Sequence, residues 1–246
     1  MSFVIAVYVA EGIVMDSDSR KSVTLEGKSP QGVDFKVETV NSDAVTKTFL
    51  LEEQRVGISS FGQDLLGGVP TASHIKGFVE EELASSDDVT TVPRKLIEYL
   101  RKRFPHADAG MHVAGYRKEG KISVPHVYSC HVARDVVERR NVKPDGPLAY
   151  GATWSGQGDI LSSIITPVVT KDEKGSDKVI RSPAPIIWEA MAVQDAIDFA
   201  TYAIRTTIDT MRFQARPKNV GGPIDVLLLT PEEARWIVRK ELRGSF

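Results

Sequence analysis

Residues able to do nucleophilic or acid–base chemistry are few and scattered in this sequence. One cysteine, Cys130, and five histidines are present. A lone cysteine makes neither an internal disulfide nor a multi-cysteine zinc site, which suits a reducing compartment. His126 and His131 lie too far apart for one helix face, in a stretch that reads as strand, and are read as ordinary packed or surface side chains. The sequence holds no phosphate loop with Lys-Ser/Thr, no HExxH and no GxSxG, and the glycines at 62 to 67 and 151 to 158 do not form GxGxxG before a helix. Ser2 is different. Once Met1 is removed, Ser2 carries a hydroxyl beside a free α-amine of ordinary pKa about 7.7 to 8.0, so the neutral amine can take the hydroxyl proton near neutral pH. Serine is common at a second position, and what gives Ser2 weight is the set of residues around it.

Those residues need elements to position them. Phe3 to Val9 is apolar or small throughout and reads as a strand covered on both faces, returning through Ala10-Glu11-Gly12 into Ile13 to Asp16. Lys21 to Ser42 is polar and broken by Gly27, Pro30 and Gly32, with short strands expected at Ser22 to Glu26 and Asp34 to Thr39. Thr46 to Leu51 and Arg55 to Ser60 pair across Glu52-Glu53-Gln54. Helical periodicity then takes over, in Ile75, Phe78, Val79 and Leu83 and again in Val92, Leu96, Leu100 and Phe104. Met111 to Tyr116 and Ile122 to His131 form another hairpin, and Leu148 to Ala152 a short strand running into Trp154-Ser155-Gly156. Lys171 to Lys178 reads as a solvated loop. The longest helix is expected over Trp188 to Phe213, with apolar side chains beyond a single stripe. Ile224 to Leu229 is a buried strand, and Thr230-Pro231-Glu232-Glu233 has the cap, proline and glutamate of a helix start.

Strands grouped with strands and helices with helices point to an α+β fold with antiparallel sheets rather than an alternating βαβ fold. At 246 residues without a composition shift or internal repeat, one domain over 1–246 is expected. Thirty-one basic against 33 acidic residues give a net charge of −2, which removes the electrostatic case for a nucleic-acid or membrane-surface partner. No stretch approaches the roughly 20 apolar residues of a membrane span, and no basic segment precedes the first apolar run, so a cytoplasmic location without a signal peptide is expected. No cofactor or metal is expected.

The run Ser2-Phe3-Val4-Ile5-Ala6-Val7, through Gly12-Ile13-Val14 to Asp16-Ser17-Asp18-Ser19-Arg20, resembles the start of proteasome β subunits and their bacterial relatives. In that family a nucleophile, two strands, a turn glycine and a D-[ST]-R motif occur at this spacing. Lys47-Thr48-Phe49-Leu50-Leu51 with Gly57 and Gly62 is similar to the family's second hairpin, and Val220-Gly221-Gly222-Pro223-Ile224-Asp225-Val226 to its C-terminal strand, most like the ancestral-β-subunit branch. The resemblance implies a four-layer αββα sandwich and an N-terminal-nucleophile peptidase. Ser2 Oγ would attack a carbonyl, the Ser2 amine would act as base and acid through a water, and Lys47, held by Asp18, would favour loss of the hydroxyl proton. The Gly62 N–H would stabilise the oxyanion, an effect of roughly 3 to 4 kcal/mol for one donor. Ungapped counting from Lys47 puts Phe61 at that place instead. Ser155 matches a supporting serine.

The sequence departs from the family pattern where the amine is held. Asp209 is out of register with the family acid, and Asn219 stands where the family has serine. Three readings follow: a peptidase acting on peptides or unfolded protein inside a homo-oligomeric ring, a catalytically silent scaffold of the same fold, and a small-amide hydrolase. No ATP-binding motif is present, so an unfolding ATPase would be a separate chain. Lys21, next to the motif, lies where relatives shape the substrate pocket; an attraction for acidic side chains is not adopted on that ground alone. Lys47→Ala and Asp18→Asn are expected to lower turnover with little change in melting temperature.

Overall fold

The computed structural model describes residues 2–172 and 174–242, so Met1 lies outside the described residues. The first strands, β1 (Phe3–Tyr8) and β2 (Ile13–Ser17), form a hairpin whose strand residues are all buried. Both faces of β1 are covered: Phe3, Ile5 and Val7 pack one way, Ala6 and Tyr8 the other. That accounts for its unbroken apolar run. A largely exposed ribbon follows, β3 (Lys21–Lys28) with β4 (Asp34–Ser42). After it come β5 (Thr48–Leu51), β6 (Val56–Gly62) and the two-residue strands β7 (Leu65–Leu66) and β8 (Val69–Pro70). Helices α1 (Thr71–Glu81) and α2 (Val92–Arg103) precede the meander β9 (Ala109–Glu119), β10 (Ile122–His131) and β11 (Val136–Arg139). Strand β12 (Gly151–Gly156) leads to α3 (Asp159–Ile165), a second exposed ribbon of β13 (Val168–Lys171) and β14 (Asp177–Arg181), and the long helix α4 (Val193–Phe213). The hairpin of β15 (Asp225–Leu229) and β16 (Ala234–Val238) completes the order.

Ten of these strands make two antiparallel five-stranded sheets, ordered β12-β1-β2-β15-β16 and β11-β10-β9-β6-β5. Three apolar clusters hold them. Ile75, Phe78, Leu96 and Leu100 of the first two helices pack on Ile58 and Met111 of the second sheet. Ala200, Ala203, Ile204 and Met211 of α4 pack on Phe3 and Ile5 of the first sheet, the alanines letting the helix backbone approach the strands. Met15, Leu227 and Leu229 of the first sheet meet Ala114 and Val127 of the second. Each large side chain so buried contributes roughly 1.5 to 3 kcal/mol. Gly57 belongs to this third contact: a Cβ there would stand 2.5 Å from Met15 Sδ and 3.0 Å from Leu227.

The antiparallel sheets and grouped helices agree with the sequence reading, and several local expectations do not. Thr230-Pro231-Glu232-Glu233 does not begin a helix. The Thr230 hydroxyl accepts the Glu233 N–H at 3.1 Å, as at a helix start, but the Thr230 N–H donates to the Glu233 carbonyl and closes a hairpin turn. Ala234 to Val238 then add an edge strand to β15. Lys171 to Lys178 is not a plain loop but the tip and flanks of the β13–β14 ribbon. Strand β11 and helix α3 were not expected. The long helix starts at Val193 instead of Trp188, after a 3-10 turn at Trp188–Ala190. Of its apolar residues away from the main stripe, Phe199 stands edge-on to Trp188 at 5.1 Å, whereas Phe213 is 86% exposed.

Candidate active site

Ser2 sits at the head of β1, 7% exposed, and the strands around it fix its backbone. Its carbonyl accepts the Gln157 N–H at 2.8 Å. Gly156, opposite Phe3, has φ +88°, and a Cβ there would fall inside the van der Waals surface of the Ser2 carbonyl oxygen. Only glycine meets both conditions. Sequence reasoning marked Ser155-Gly156 for the serine. Backbone of Gly156 and Gln157, which carries no side-chain signal, is what touches Ser2.

Asp18 follows the end of β2 and is fully buried, with four donors on its two carboxylate oxygens. Oδ1 accepts the Phe3 N–H at 2.9 Å and Lys47 Nζ at 2.6 Å, and Oδ2 accepts the Arg20 N–H at 3.1 Å and the Gly221 N–H at 3.0 Å. In return the Asp18 N–H donates to the Phe3 carbonyl at 3.2 Å. One carboxylate thus ties the residue after Ser2, the irregular segment leading into β5 and the segment entering β15. Lys47, also buried, lies just before β5, where its carbonyl takes the Ser60 N–H at 2.8 Å. Burial pushes the Lys47 ammonium below its ordinary pKa, while Asp18 acts in the opposite direction.

Ser2 and Lys47 line a cavity of about 300 Å³. Gly62 completes that wall at the end of β6, with φ +84° and no room for a side chain beside the Asp108 carbonyl. Phe61 is not on that wall and turns its ring to His112, 5.3 Å between centroids. The remaining wall brings in Arg20, Lys21 and Asp64 among others, with Lys21 Nζ 2.7 Å from Asp64. Arg20 grips Asp43 through two nitrogens, at 2.6 and 2.8 Å, and donates to the Lys218 carbonyl at 2.9 Å. Gly221 is glycine because a Cβ would press on that guanidinium at 2.5 Å.

Other expected residues stand apart from this cavity. Ser155 pairs opposite Val4 in β12 and is not on the cavity wall. Asp209 forms an ion pair with Arg205 at 3.2 Å on α4. Asn219 is buried nearby, its Nδ2 donating to Gln157 Oε1 at 3.4 Å while Oδ1 has no partner among the described residues. Behind the site, Thr48 joins Ser17 at 2.8 Å and Ser59 at 2.9 Å in a buried hydroxyl chain between the sheets. His112 is also buried, its ring pushed down to about 4 by desolvation and Arg140. Cys130 is inert, its thiol pushed up to about 12 by burial. Among the described residues, no His, Cys, Asp and Glu side chains group as metal ligands, and no helix is long and apolar enough to cross a membrane.

No family model matches the chain, and no curated protein matches it. Solved structures do. Anbu from Hyphomicrobium sp. strain MC1 superposes with a TM-score of 0.58 at 14% identity, over 97% of this chain and 88% of that one. A (Gly-1) mutant of the same protein gives 0.59 at 12% identity, over 98% and 86%. Identity this low speaks to fold and not to a branch of the family or an activity. The chain has the fold of the Anbu structures, a proteasome-like fold.

Proposed function

We propose that the chain is an N-terminal-nucleophile hydrolase that cleaves amide bonds of peptides or unfolded protein with Ser2. The observation that carries this reading is the Asp18 carboxylate, one oxygen of which holds both the backbone beside Ser2 and the Lys47 ammonium on the cavity wall. With Met1 removed, the Ser2 Oγ proton passes through a water to the free amine as Oγ bonds to the substrate carbonyl carbon. Lys47 offsets the negative charge gathering on Oγ, and the Gly62 N–H takes the oxyanion. Collapse breaks the C–N bond, the ammonium returns its proton to the leaving nitrogen, and water then hydrolyses the serine ester by the reverse path.

The finer parts of this reading are a single αββα domain, membership of the bacterial ancestral-β-subunit branch, Ser155 as a supporting hydroxyl, assembly into a homo-oligomeric ring and action in the cytoplasm, any ATPase being a separate chain. The three apolar clusters support the layering, and exposed Phe213 and Tyr202 on α4 support assembly. One observation favours the silent-scaffold reading: Asp209 pairs with Arg205 and the place of the family serine is taken by Asn219, so the amine's supports differ. Intact mass and covalent labelling separate the two. The hydrolase lacks Met1 and takes one epoxyketone per chain, an adduct to hydroxyl and amine together, and Ser2→Ala abolishes both labelling and peptide hydrolysis. Retained Met1 in active protein, or hydrolysis by Ser2→Ala at the parent rate, removes Ser2 as nucleophile.

A further inference from the structure

Three cations stand on the wall of the Ser2 cavity, and each has its own carboxylate. Arg20 pairs with Asp43 at 2.6 Å, Lys21 with Asp64 at 2.7 Å and Lys47 with Asp18 at 2.6 Å. Two of these matches have work inside the protein: Asp18 organises the backbone around Ser2, and Arg20 also holds the Lys218 carbonyl. The third is different. Neither the Lys21 ammonium nor the Asp64 carboxylate makes another side-chain hydrogen bond or ion pair among the described residues, although Asp64 also acts through space on the Lys47 ammonium, and both line the cavity. Asp64 is held there by its backbone, whose carbonyl accepts both the N–H and the hydroxyl of Thr71 at the start of α1, at 2.8 and 3.0 Å. Lys21 is held at the start of β3, opposite Ser42. Val23, Val45 and Leu65 make the apolar part of the same wall.

Resting on the hydrolase reading of this site, we propose that the Lys21–Asp64 pair sets the substrate class. The side chain on the acyl side of the cleaved bond is neutral and apolar, of leucine or phenylalanine size, seated on Val23, Val45 and Leu65. Asp64 cancels Lys21 and thereby denies an acidic side chain its counter-charge; Lys21 cancels Asp64 and does the same against a basic one. A charged group entering this cavity loses water and gains no free partner, and that difference is the discrimination. Lys21 by itself would attract acidic substrates. The carboxylate 2.7 Å away reverses that expectation.

Binding tests this without chemistry. In the Ser2→Ala background, N-acetyl tripeptide amides ending in leucine, glutamate or lysine are titrated by NMR. The leucine peptide is expected to bind at least about tenfold tighter than either charged one, a factor of about 1.4 kcal/mol. Adding Asp64→Asn frees Lys21 and is expected to raise glutamate-peptide affinity about tenfold; adding Lys21→Met frees Asp64 and raises lysine-peptide affinity instead. The two variants shift preference in opposite directions, which a loosened pocket does not do, and either one alone keeps the test alive if the other fails to fold. Equal affinities in the parent, no detectable leucine-peptide binding, or variants that leave the ranking unchanged overturn the proposal. Epoxyketone labelling of the unsubstituted protein reports separately on the hydrolase reading, since a protein that discriminates peptides without labelling loses the chemistry and keeps the pocket.

Discussion

Replacing Asp18 by asparagine tests whether the buried carboxylate is the keystone of the surroundings of Ser2. The carboxylate serves four donors, two on each oxygen. Asparagine offers one oxygen and turns an NH2 toward the other two donors, so it leaves Lys47 without its counter-charge and at least one backbone N–H without an acceptor. Breaking a buried ion pair from one side costs about 3 to 5 kcal/mol, and an orphaned N–H adds about 1 to 3 kcal/mol. Allowing for relaxation, the sum is about 4 to 6 kcal/mol, which for a chain of this size lowers Tm by roughly 10 to 20 °C. Lys47→Met removes only the cation, and the carboxylate keeps three backbone N–H donors. Its cost is accordingly about 2 to 3 kcal/mol, or roughly 4 to 10 °C. Burial therefore corrects the expectation that these substitutions leave stability alone. Differential scanning calorimetry at neutral pH reads the order directly. A Lys47→Met variant that loses as much as Asp18→Asn shows that the backbone donors do not hold the carboxylate, and two unshifted melting curves show that the pair is not buried as described.

Gly156→Ala is expected to push the Ser2 carbonyl off the Gln157 N–H and to abolish epoxyketone labelling while the rest of the sheet survives; unchanged labelling removes Gly156 from the positioning of Ser2. If the Ser2 amine is the base, the hydrolysis rate rises with pH through roughly 7 to 8, and a flat profile from pH 6 to 9 rules that out. His112 makes the protein acid-sensitive: its folded-state pKa of about 4 lies below the unfolded value, so the unfolded chain takes the proton first and stability falls as pH drops from about 6.5 to about 4. At pH 5 the loss from this one ring is about 2 kcal/mol, and His112→Gln is expected to lose correspondingly less Tm between pH 7 and pH 5 than the parent does; equal losses in both proteins mean that the ring is not held neutral.

The first hairpin and the paired helices were legible because their burial is written into residue type. Phe3 to Tyr8 is apolar on both faces, and Ile75, Phe78, Leu96 and Leu100 repeat at helical intervals. Strand β16 was not, since Thr230 makes the same hydroxyl bond to Glu233 at this hairpin turn as at a helix start, and only pairing with β15 decides between them. In the site, resemblance led to Ser2, Asp18, Lys47 and Gly62, but three of Asp18's four partners are backbone N–H groups, those of Phe3, Arg20 and Gly221, which leave no mark on residue identity beyond the glycine. Gln157 escaped for the same reason, contributing to Ser2 through its N–H. Lys21 with Asp64 and Arg20 with Asp43 were out of reach because no local period links residues so far apart. Ser155 shows the converse, a side chain marked by pattern that the fold sets in the neighbouring strand and off the cavity wall.

The position of β1 inside its sheet governs when the surroundings of Ser2 are completed. Its neighbours are β2, made at once, and β12, whose Ser155 meets Val4 only after more than half the chain has been synthesised. β2 in turn waits for β15, and Asp18 for the Gly221 N–H, both in the last quarter of the sequence. Pairings of such long range carry a large loop-closure entropy and form slowly, on the millisecond-to-second scale typical of β-rich domains. Ser2 and the strands beside it are thus made well before the segments that complete their surroundings. A chain interrupted before Gly221 leaves Asp18 one donor short and β2 unpaired along one edge. Synthesis order acts in this way as a timer, and Ser2 receives its complete setting only once Gly221 and β15 have been added.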